Sequence, residues 1–142
     1  MVKYNLIFIY NEKDNKILMC KRSKHPHKGK YNLIGGKIES GENGLSAAYR
    51  ELLEETNITE ENVNLFHLMD IAYYHSNYHL EIYVGVLEDD ISVSGDENEL
   101  FWISSNDNFY DENVYAGNGL IGHIISAFEI WKNNINELNL KN

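Results

Sequence analysis

Three glutamates at helical spacing constrain this chain more than any other feature. Glu51, Glu54 and Glu55 stand at positions i, i+3 and i+4, and an α-helix at about 100° per residue places them in one narrow sector. Like charges that close repel one another and destabilise a helix. An acidic helix face is often simply solvated, but it also offers the oxygen ligands that a hard cation such as Mg²⁺ requires.

The other side of this predicted helix carries apolar residues that we expect to be buried: Leu45, Tyr49, Leu52 and Leu53. Ala47 and Ala48 precede the acidic sector, and their small side chains are expected to leave room for a bulky ligand. Asn43 is the predicted N-cap. Arg50 precedes Glu54 by one helical turn and is expected to hold its carboxylate.

Glycines before the helix and the glutamates within it form one long pattern with fixed spacings. The pattern resembles the Nudix box, in which a glycine, a glutamate and an Arg-Glu-apolar-any-Glu-Glu-any-Gly-apolar run recur at set distances. The matching residues are Gly36, Glu42, Arg50, Glu51, Leu52, Glu54, Glu55 and Ile58. Asn57 stands where the family has glycine, and asparagine tolerates the left-handed backbone expected there. Gly35, Gly36 and Gly41 are expected to form a loop with unusual backbone angles.

The resemblance implies an α/β/α sandwich with a mixed sheet, and an enzyme in which water attacks a phosphorus of a nucleoside diphosphate linked to another group, X. It implies Mg²⁺ or Mn²⁺ as cofactor. The implied metal ligands are Glu51, Glu54, Glu55 and the carbonyl of Gly35, with Glu54 and Glu55 the favoured pair. By the same resemblance Glu42 supports the loop or reaches the metal through water, and Arg50 orients a catalytic carboxylate.

A loop ahead of Trp102 is expected to supply the general base, as it does in several family members. Asp96, Glu97 and Glu99 are the candidates there, and Glu97 is favoured. The alternative is an acidic surface loop without a catalytic role.

Two asparagines and two basic residues are candidates for substrate binding. Asn32 lies in KGKYNLIGGK, a run similar to one in oxidised-purine nucleotide hydrolases of the Nudix family, and Asn118 resembles a purine-reading asparagine of the MutT-type members. Asparagine offers the acceptor and donors that a purine edge requires, although Asn32 could satisfy strand-end backbone groups and Asn118 could cap a helix. Arg22 and Lys24 are expected to reach phosphate.

These resemblances predict a MutT-type hydrolase that cleaves a nucleoside triphosphate to the monophosphate and pyrophosphate, with 8-oxo-dGTP as the leading specific substrate. Hydrolysis of ADP-ribose or a nucleotide sugar is the second prediction. A non-catalytic nucleotide-sensing module is the third, and the intact pair of adjacent glutamates argues against it.

Residues 23–30, SKHPHKGK, form a basic loop in an acidic chain. His25 and His27 could contribute to a metal site, but no further ligands are spaced to complete one. A lid over an anionic ligand and a plain solvated loop remain the two main interpretations.

Composition sets the outer limits. A chain of 142 residues with a net charge of −10 suits one domain, residues 1–142, and argues against binding a nucleic acid polymer through its backbone. No run is long enough to span a membrane and no leader segment is evident, so we expect a cytoplasmic protein, monomeric or homodimeric, that binds a small nucleotide. Cys20 is expected to be a buried reduced thiol.

Hydrophobic patterning predicts the remaining elements. Strands are expected at residues 2–10, 17–22, 31–34, 63–74, 78–88 and 99–104, with a polar break at 67–70, and an amphipathic helix at 120–134. Paired strands, a central helix and a final helix favour a mixed sheet between two helical layers.

Overall fold

The computed structural model describes residues 1–141, with side chains through residue 135. Within these residues, seven strands and two helices follow one another in the order β1 (Val2–Asn11), β2 (Lys16–Lys21), β3 (Tyr31–Asn32), β4 (Ile34–Lys37), α1 (Gly44–Thr56), β5 (Phe66–Tyr73), β6 (Tyr78–Leu87), β7 (Glu99–Ser104) and α2 (Leu120–Lys141). Among these described residues, no helix combines the length and apolarity needed to cross a membrane.

Strand β1 lies at the centre of a mixed sheet. It pairs with β6 in parallel along its whole length, with β4 antiparallel through its first half, and with β2 antiparallel at its far end. Strand β5 extends the sheet beyond β6, while β3 and β7 pair with β2. Every residue from Asn5 to Asn11 is buried because β1 has covered faces on both sides.

The two faces of β1 belong to two separate cores. Leu6, Phe8 and Tyr10 pack with the apolar side of α2, whereas Ile7 and Ile9 pack with α1. Alternate side chains of a strand point to opposite faces, so one apolar run supplies both cores. The predicted mixed sheet between two helical layers is confirmed.

The glycines before α1 differ from the prediction. Gly35 and Gly36 lie within β4 rather than in a loop, and only Gly41 has a positive φ, +83°. A Cβ at Gly35 would lie 2.1 Å from the carbonyl oxygen of Asn5, and one at Gly36 would lie 2.5 Å from the carboxylate of Glu51. Close approach of backbone, not a turn, therefore requires glycine at Gly35, whereas a Cβ at Gly36 would displace the carboxylate of Glu51.

Helix α1 begins and ends as predicted but buries a different face. The side chain of Asn43 caps it by accepting from the backbone N–H of Ser46 at 2.8 Å, and Asn57 follows its end with φ +65°. The predicted apolar stripe is wrong at both ends, since Leu45 is 43% and Leu53 48% exposed. The buried residues are Ala47, Ala48, Leu52 and Thr56.

Ala47 and Ala48 therefore lie in the core and leave no room for a ligand, contrary to the prediction. The helix rests on small side chains, and this choice of face brings its axis close to the sheet.

Two further boundaries differ. The predicted long strand at 63–74 is the shorter β5, and its polar break is a bulge between His67 and Met69 within the ladder. The final helix continues beyond residue 134 to Lys141.

Candidate active site

Helix α1, strand β4 and the segment before β7 enclose one cavity of about 240 Å³. Glu51 and Glu55 reach it from the helix, Gly35 and Gly36 from the strand, and Glu97 from the opposite side. The remaining lining residues are Arg22, Ser23, Lys24 and Asn98. The structure thus brings two of the three predicted helix glutamates together with the favoured candidate base.

Glu55 is the most deeply placed of these carboxylates. Its Oε2 accepts a hydrogen bond from the backbone N–H of Gly35 at 3.1 Å. Burial, together with the nearby charges of Glu51 and Glu97, raises the pKa of Glu55 to about 7 against the lowering effect of that hydrogen bond. The ionised carboxylate is therefore disfavoured in the protein alone.

Glu51 shows the same effect more weakly. Its side chain is only 13% exposed, and burial raises its pKa although Arg50 acts in the opposite direction. Two partly desolvated carboxylates thus face one cavity, and the acidic side chains that line it outnumber the basic ones. In the described part of the chain, no three His, Cys, Asp or Glu side chains converge closely enough to enclose an ion as they stand.

Arg50 organises the acidic residues around the helix. It donates to both oxygens of Glu42 at 2.7 and 2.9 Å, and also to Glu51 at 3.0 Å and to Glu54 at 3.3 Å. The predicted contact with Glu54 is present, but Glu42 is the closer partner. The guanidinium lowers the pKa of Glu42 to about 2. Because Glu42 also accepts from the N–H of Glu39 at 2.9 Å, the loop before α1 is tied to the helix.

Glu54 is placed differently from its two neighbours. Its side chain is 58% exposed and does not line the cavity shared by Glu51 and Glu55. The sequence pattern singled out Glu54 and Glu55 as the favoured pair, whereas the geometry brings Glu51 and Glu55 together. Glu54 would need to leave Arg50 and change rotamer to reach the same space.

The segment before β7 separates the three candidate bases. Glu97 lines the cavity, Glu99 opens β7 opposite Lys21, and Asp96 is exposed outside the lining. Asn98 fixes this segment to the basic loop, because its Oδ1 accepts from the backbone N–H and the hydroxyl of Ser23, both at 3.1 Å.

A second cavity of about 240 Å³ adjoins the first and shares Arg22, Gly35, Gly36, Glu55 and Asn98 with it. Asn32 lines this second cavity, and its Oδ1 accepts from the N–H of Leu33 at 2.8 Å. Asn118 is exposed and is not among the lining residues, although Gly117 and Leu120 are.

Sequence reasoning did not single out three other lining residues of this second cavity: Tyr4, Asn5 and Tyr78. His27, considered above for a metal site, lines the same cavity. Only Asn5 carried a usable signal, as a polar residue at the start of an apolar run.

A larger and more open depression of about 630 Å³ lies beside β5, β6 and Trp131. It contains none of the predicted site residues. Its acidic side chains, Glu61, Glu88, Asp89 and Asp90, are exposed, so solvent screens their charge and no chemistry is indicated there.

The chain matches the family model of the NUDIX domain over residues 4–118. An ADP-ribose pyrophosphatase of Methanocaldococcus jannaschii is 51% identical over 47 residues, which are 33% of this chain and 28% of that protein. An 8-oxo-dGTP diphosphatase of Escherichia coli is 35% identical over 66 residues, 46% of this chain and 51% of that protein. These matches span about half or less of each relative.

Solved structures with the same fold include a Caenorhabditis elegans Ap4A hydrolase binary complex, with a TM-score of 0.76 and 22% identity over 94% of this chain and 99% of that one. A MutT protein from Methanosarcina mazei has a TM-score of 0.66 and 22% identity, covering 94% of each chain. A Francisella tularensis NMN adenylyltransferase/ADP ribose pyrophosphatase complexed with AMP and a Mn ion has a TM-score of 0.69 and 22% identity, over 90% of this chain and 41% of that one. At these identities the likeness concerns the fold.

The family match runs from β1 to the residues just before α2 and includes the glycines of β4, the glutamates of α1, the first cavity and the lining of the second cavity except Leu120. Motif, fold and match agree, and this chain belongs to the Nudix family.

Proposed function

We propose that this chain hydrolyses a nucleoside diphosphate linked to X with the help of a divalent metal ion. The favoured reaction converts a nucleoside triphosphate to the monophosphate and pyrophosphate. The observation that carries the proposal is the cavity in which Glu51, Glu55 and Glu97 face Arg22 and Lys24. Carboxylates for a cation thus lie beside cationic side chains for a phosphate.

The donor set suits Mg²⁺ or Mn²⁺. Both ions prefer oxygen ligands, and the carboxylates of Glu51 and Glu55 with the carbonyl of Gly35 would hold one. The raised pKa values of Glu51 and Glu55 support this assignment, because a cation would supply the charge that the cavity lacks. A bound ion neutralises phosphate charge and lowers the pKa of an attacking water.

The side chains of this cavity have separate tasks in the proposed reaction. Glu97 accepts a proton from water as the water oxygen bonds to phosphorus, and the bond from phosphorus to the leaving oxygen breaks. Arg22 and Lys24 bind the phosphate oxygens and hold the phosphate groups of the substrate in line with the attacking water. Arg50 holds Glu51 and Glu54 while Glu42 holds Arg50, so Arg50 positions ligands without touching substrate.

The second cavity is the proposed site for the nucleoside. Asn32 lies in its wall and would read a base edge. Asn118 could reach a ligand only from the rim, since it is exposed outside that wall. An oxidised purine triphosphate such as 8-oxo-dGTP remains the leading specific substrate, supported by the Escherichia coli relative.

A second candidate is hydrolysis of ADP-ribose. The observation that favours it is the 51% identity over 47 residues with the Methanocaldococcus jannaschii enzyme. Both candidates use the same metal cavity and differ in what occupies the second one.

A phosphate-release screen with Mg²⁺ and coupled phosphatase or pyrophosphatase tests the proposal. The panel holds natural and oxidised nucleoside triphosphates, ADP-ribose, nucleotide sugars and dinucleoside polyphosphates. We expect turnover that EDTA abolishes, with preference for an oxidised purine triphosphate. Preference for ADP-ribose would move the second candidate ahead. Ligand binding without turnover of any compound would contradict hydrolysis and favour the nucleotide-sensing alternative.

A further inference from the structure

Asn5 is a buried polar residue at the start of the apolar run in β1. Its side chain is 1% exposed, and its Oδ1 accepts from the backbone N–H of Gly36 at 3.0 Å. Its Nδ2 is buried without a hydrogen-bond partner among the described residues. An unpaired buried donor destabilises a fold, and an apolar side chain would avoid that cost. The Oδ1 of Asn5 thus stabilises the contact with β4, whereas its Nδ2 carries a desolvation cost that no described residue offsets.

The orientation of this amide follows from its one hydrogen bond. A backbone N–H can only donate, so the oxygen of Asn5 must face Gly36 and the NH₂ group must face away from it. The donor left over is Nδ2.

The neighbours of Asn5 connect it to both metal-site glutamates. Gly36 is its register partner in β4, and the carboxylate of Glu51 packs against Gly36 so closely that a Cβ would lie 2.5 Å away. The preceding residue, Gly35, donates to Glu55 and packs over the carbonyl of Asn5. Asn5 also lines the second cavity together with these two glycines and Glu55.

We propose, resting on the function proposed above, that Asn5 is a positioning residue of this active site. Its Oδ1 holds β4 at the distance that Glu51 and Glu55 require. Its Nδ2 donates to an oxygen acceptor that is in place only when the divalent ion and the nucleotide are bound: a carboxylate, phosphate or water oxygen. Among the described residues, this donor has no protein acceptor.

Asn11 provides a matched control at the other end of the same strand. It is 4% exposed, but both ends of its amide are paired. Its Nδ2 donates to Asp90 at 2.8 Å, and its Oδ1 accepts from the N–H of Asp14 at 3.2 Å. Asn11 therefore stabilises a turn, far from the glutamates of α1.

The test compares Asn5→Leu with Asn11→Leu in three measurements: urea unfolding without metal, Mn²⁺ affinity by calorimetry, and kcat and KM on the best substrate of the screen. For Asn5→Leu we expect a small loss of stability, because removal of the unpaired Nδ2 offsets only part of the cost of leaving the N–H of Gly36 without its acceptor. We also expect Mn²⁺ affinity about 10-fold weaker and a loss of turnover carried mainly by kcat. For Asn11→Leu we expect lower stability with unchanged Mn²⁺ affinity and kcat. An Asn5→Leu variant with wild-type Mn²⁺ affinity and kcat would overturn the proposal.

A measurement on the wild-type chain keeps the proposal testable if Asn5→Leu does not fold. The side-chain NH₂ resonances of Asn5 should shift and become protected from hydrogen exchange when Mg²⁺ and α,β-methylene-ADP are added together. Those of Asn11 should not change. Unchanged Asn5 resonances at saturating ligand would overturn the role of Nδ2.

The two proposals fail in different ways. If wild-type protein binds Mn²⁺ and turns over substrate while Asn5→Leu matches it, only the assignment of Asn5 falls. If wild-type protein neither binds Mn²⁺ nor cleaves any compound, the proposed function falls and the assignment of Asn5 falls with it.

Discussion

The two helices that cover the sheet differ in the size of the side chains that they bury. Helix α2 fills its core with large side chains, among them Ile121, Ile124 and Phe128. Helix α1 rests on Ala47, Ala48 and Leu52. Large residues stabilise a helix through buried apolar area, whereas small ones let it approach the sheet closely.

Close approach is what the carboxylates of α1 require. Glu55 accepts from the N–H of Gly35 at 3.1 Å, and the carboxylate of Glu51 packs against Gly36, where a Cβ would displace it. Alanines on the helix and glycines on the strand together permit these contacts. Helix α1 thus buries less apolar surface and places its carboxylates near the backbone of β4, whereas α2 stabilises the fold through large buried side chains.

Substituting one glutamate on each helix by glutamine should give the largest difference in kcat. Glu55→Gln removes a proposed metal ligand, so we expect kcat to fall on the order of 1,000-fold or more with the fold retained. Glu129→Gln changes an exposed glutamate of α2 and should leave kcat unchanged. Steady-state kinetics and circular dichroism check both variants. Near-normal turnover by Glu55→Gln would contradict the role given to α1.

Truncating a large residue on each helix should affect stability on α2 and have little effect on α1. Phe128 is 3% exposed and packs on Phe8 with ring centroids 5.0 Å apart, so Phe128→Ala should lower the free energy of unfolding by about 3–5 kcal/mol. Leu53→Ala on α1 should lower it by no more than about 0.5 kcal/mol, since Leu53 is 48% exposed. Urea unfolding measures both. Equal losses would show that α1 buries the face originally predicted.

Enlarging a small buried residue of α1 should show whether metal binding depends on the short distance between α1 and the sheet. Ala48 is fully buried, so Ala48→Leu should cost about 1–3 kcal/mol of stability by overpacking and should also weaken Mn²⁺ binding by moving Glu51 and Glu55 away from β4. Ala127→Leu on α2, at a half-buried position, should change neither quantity appreciably. Calorimetry with Mn²⁺ and urea unfolding provide the comparison. Unchanged Mn²⁺ affinity in a folded Ala48→Leu protein would contradict the distance argument.

The last expected effect is a pH dependence of stability in the metal-free protein. The pKa of Glu55 is raised to about 7 from an ordinary value of 4.5, so the folded state binds its proton more tightly than the unfolded state does. The contribution of Glu55 is therefore present below pH 4.5 and is lost as the pH rises through 7. In EDTA, the melting temperature of wild type should fall relative to that of Glu55→Gln between pH 5 and pH 8. Parallel curves for the two proteins would contradict the raised pKa.

Much of this fold follows from sequence because local signals agree with the tertiary structure. Asn43 and Asn57 mark both ends of α1, and the apolar run in β1 predicts a strand covered on both faces. The Nudix box predicts which helix carries the chemistry.

The remaining details depend on packing that a single sequence does not display. Leu45 and Leu53 have the spacing of a buried face, but the face that meets the sheet is chosen by how closely the helix must approach. The sequence predicts a loop at Gly35 because it does not show that the carbonyl of Asn5 lies beside it in the sheet. The box treats Glu54 like Glu51 and Glu55, and only the rotamers and Arg50 separate it from them.

The most direct test of the central claim is a crystal structure of the wild-type protein grown with Mn²⁺ and recorded for anomalous scattering. Our account predicts an anomalous peak in the cavity between Glu51 and Glu55, bound by their carboxylates and the carbonyl of Gly35. A peak only elsewhere, or none at saturating Mn²⁺, would contradict the claim that this cavity is a metal-dependent catalytic centre.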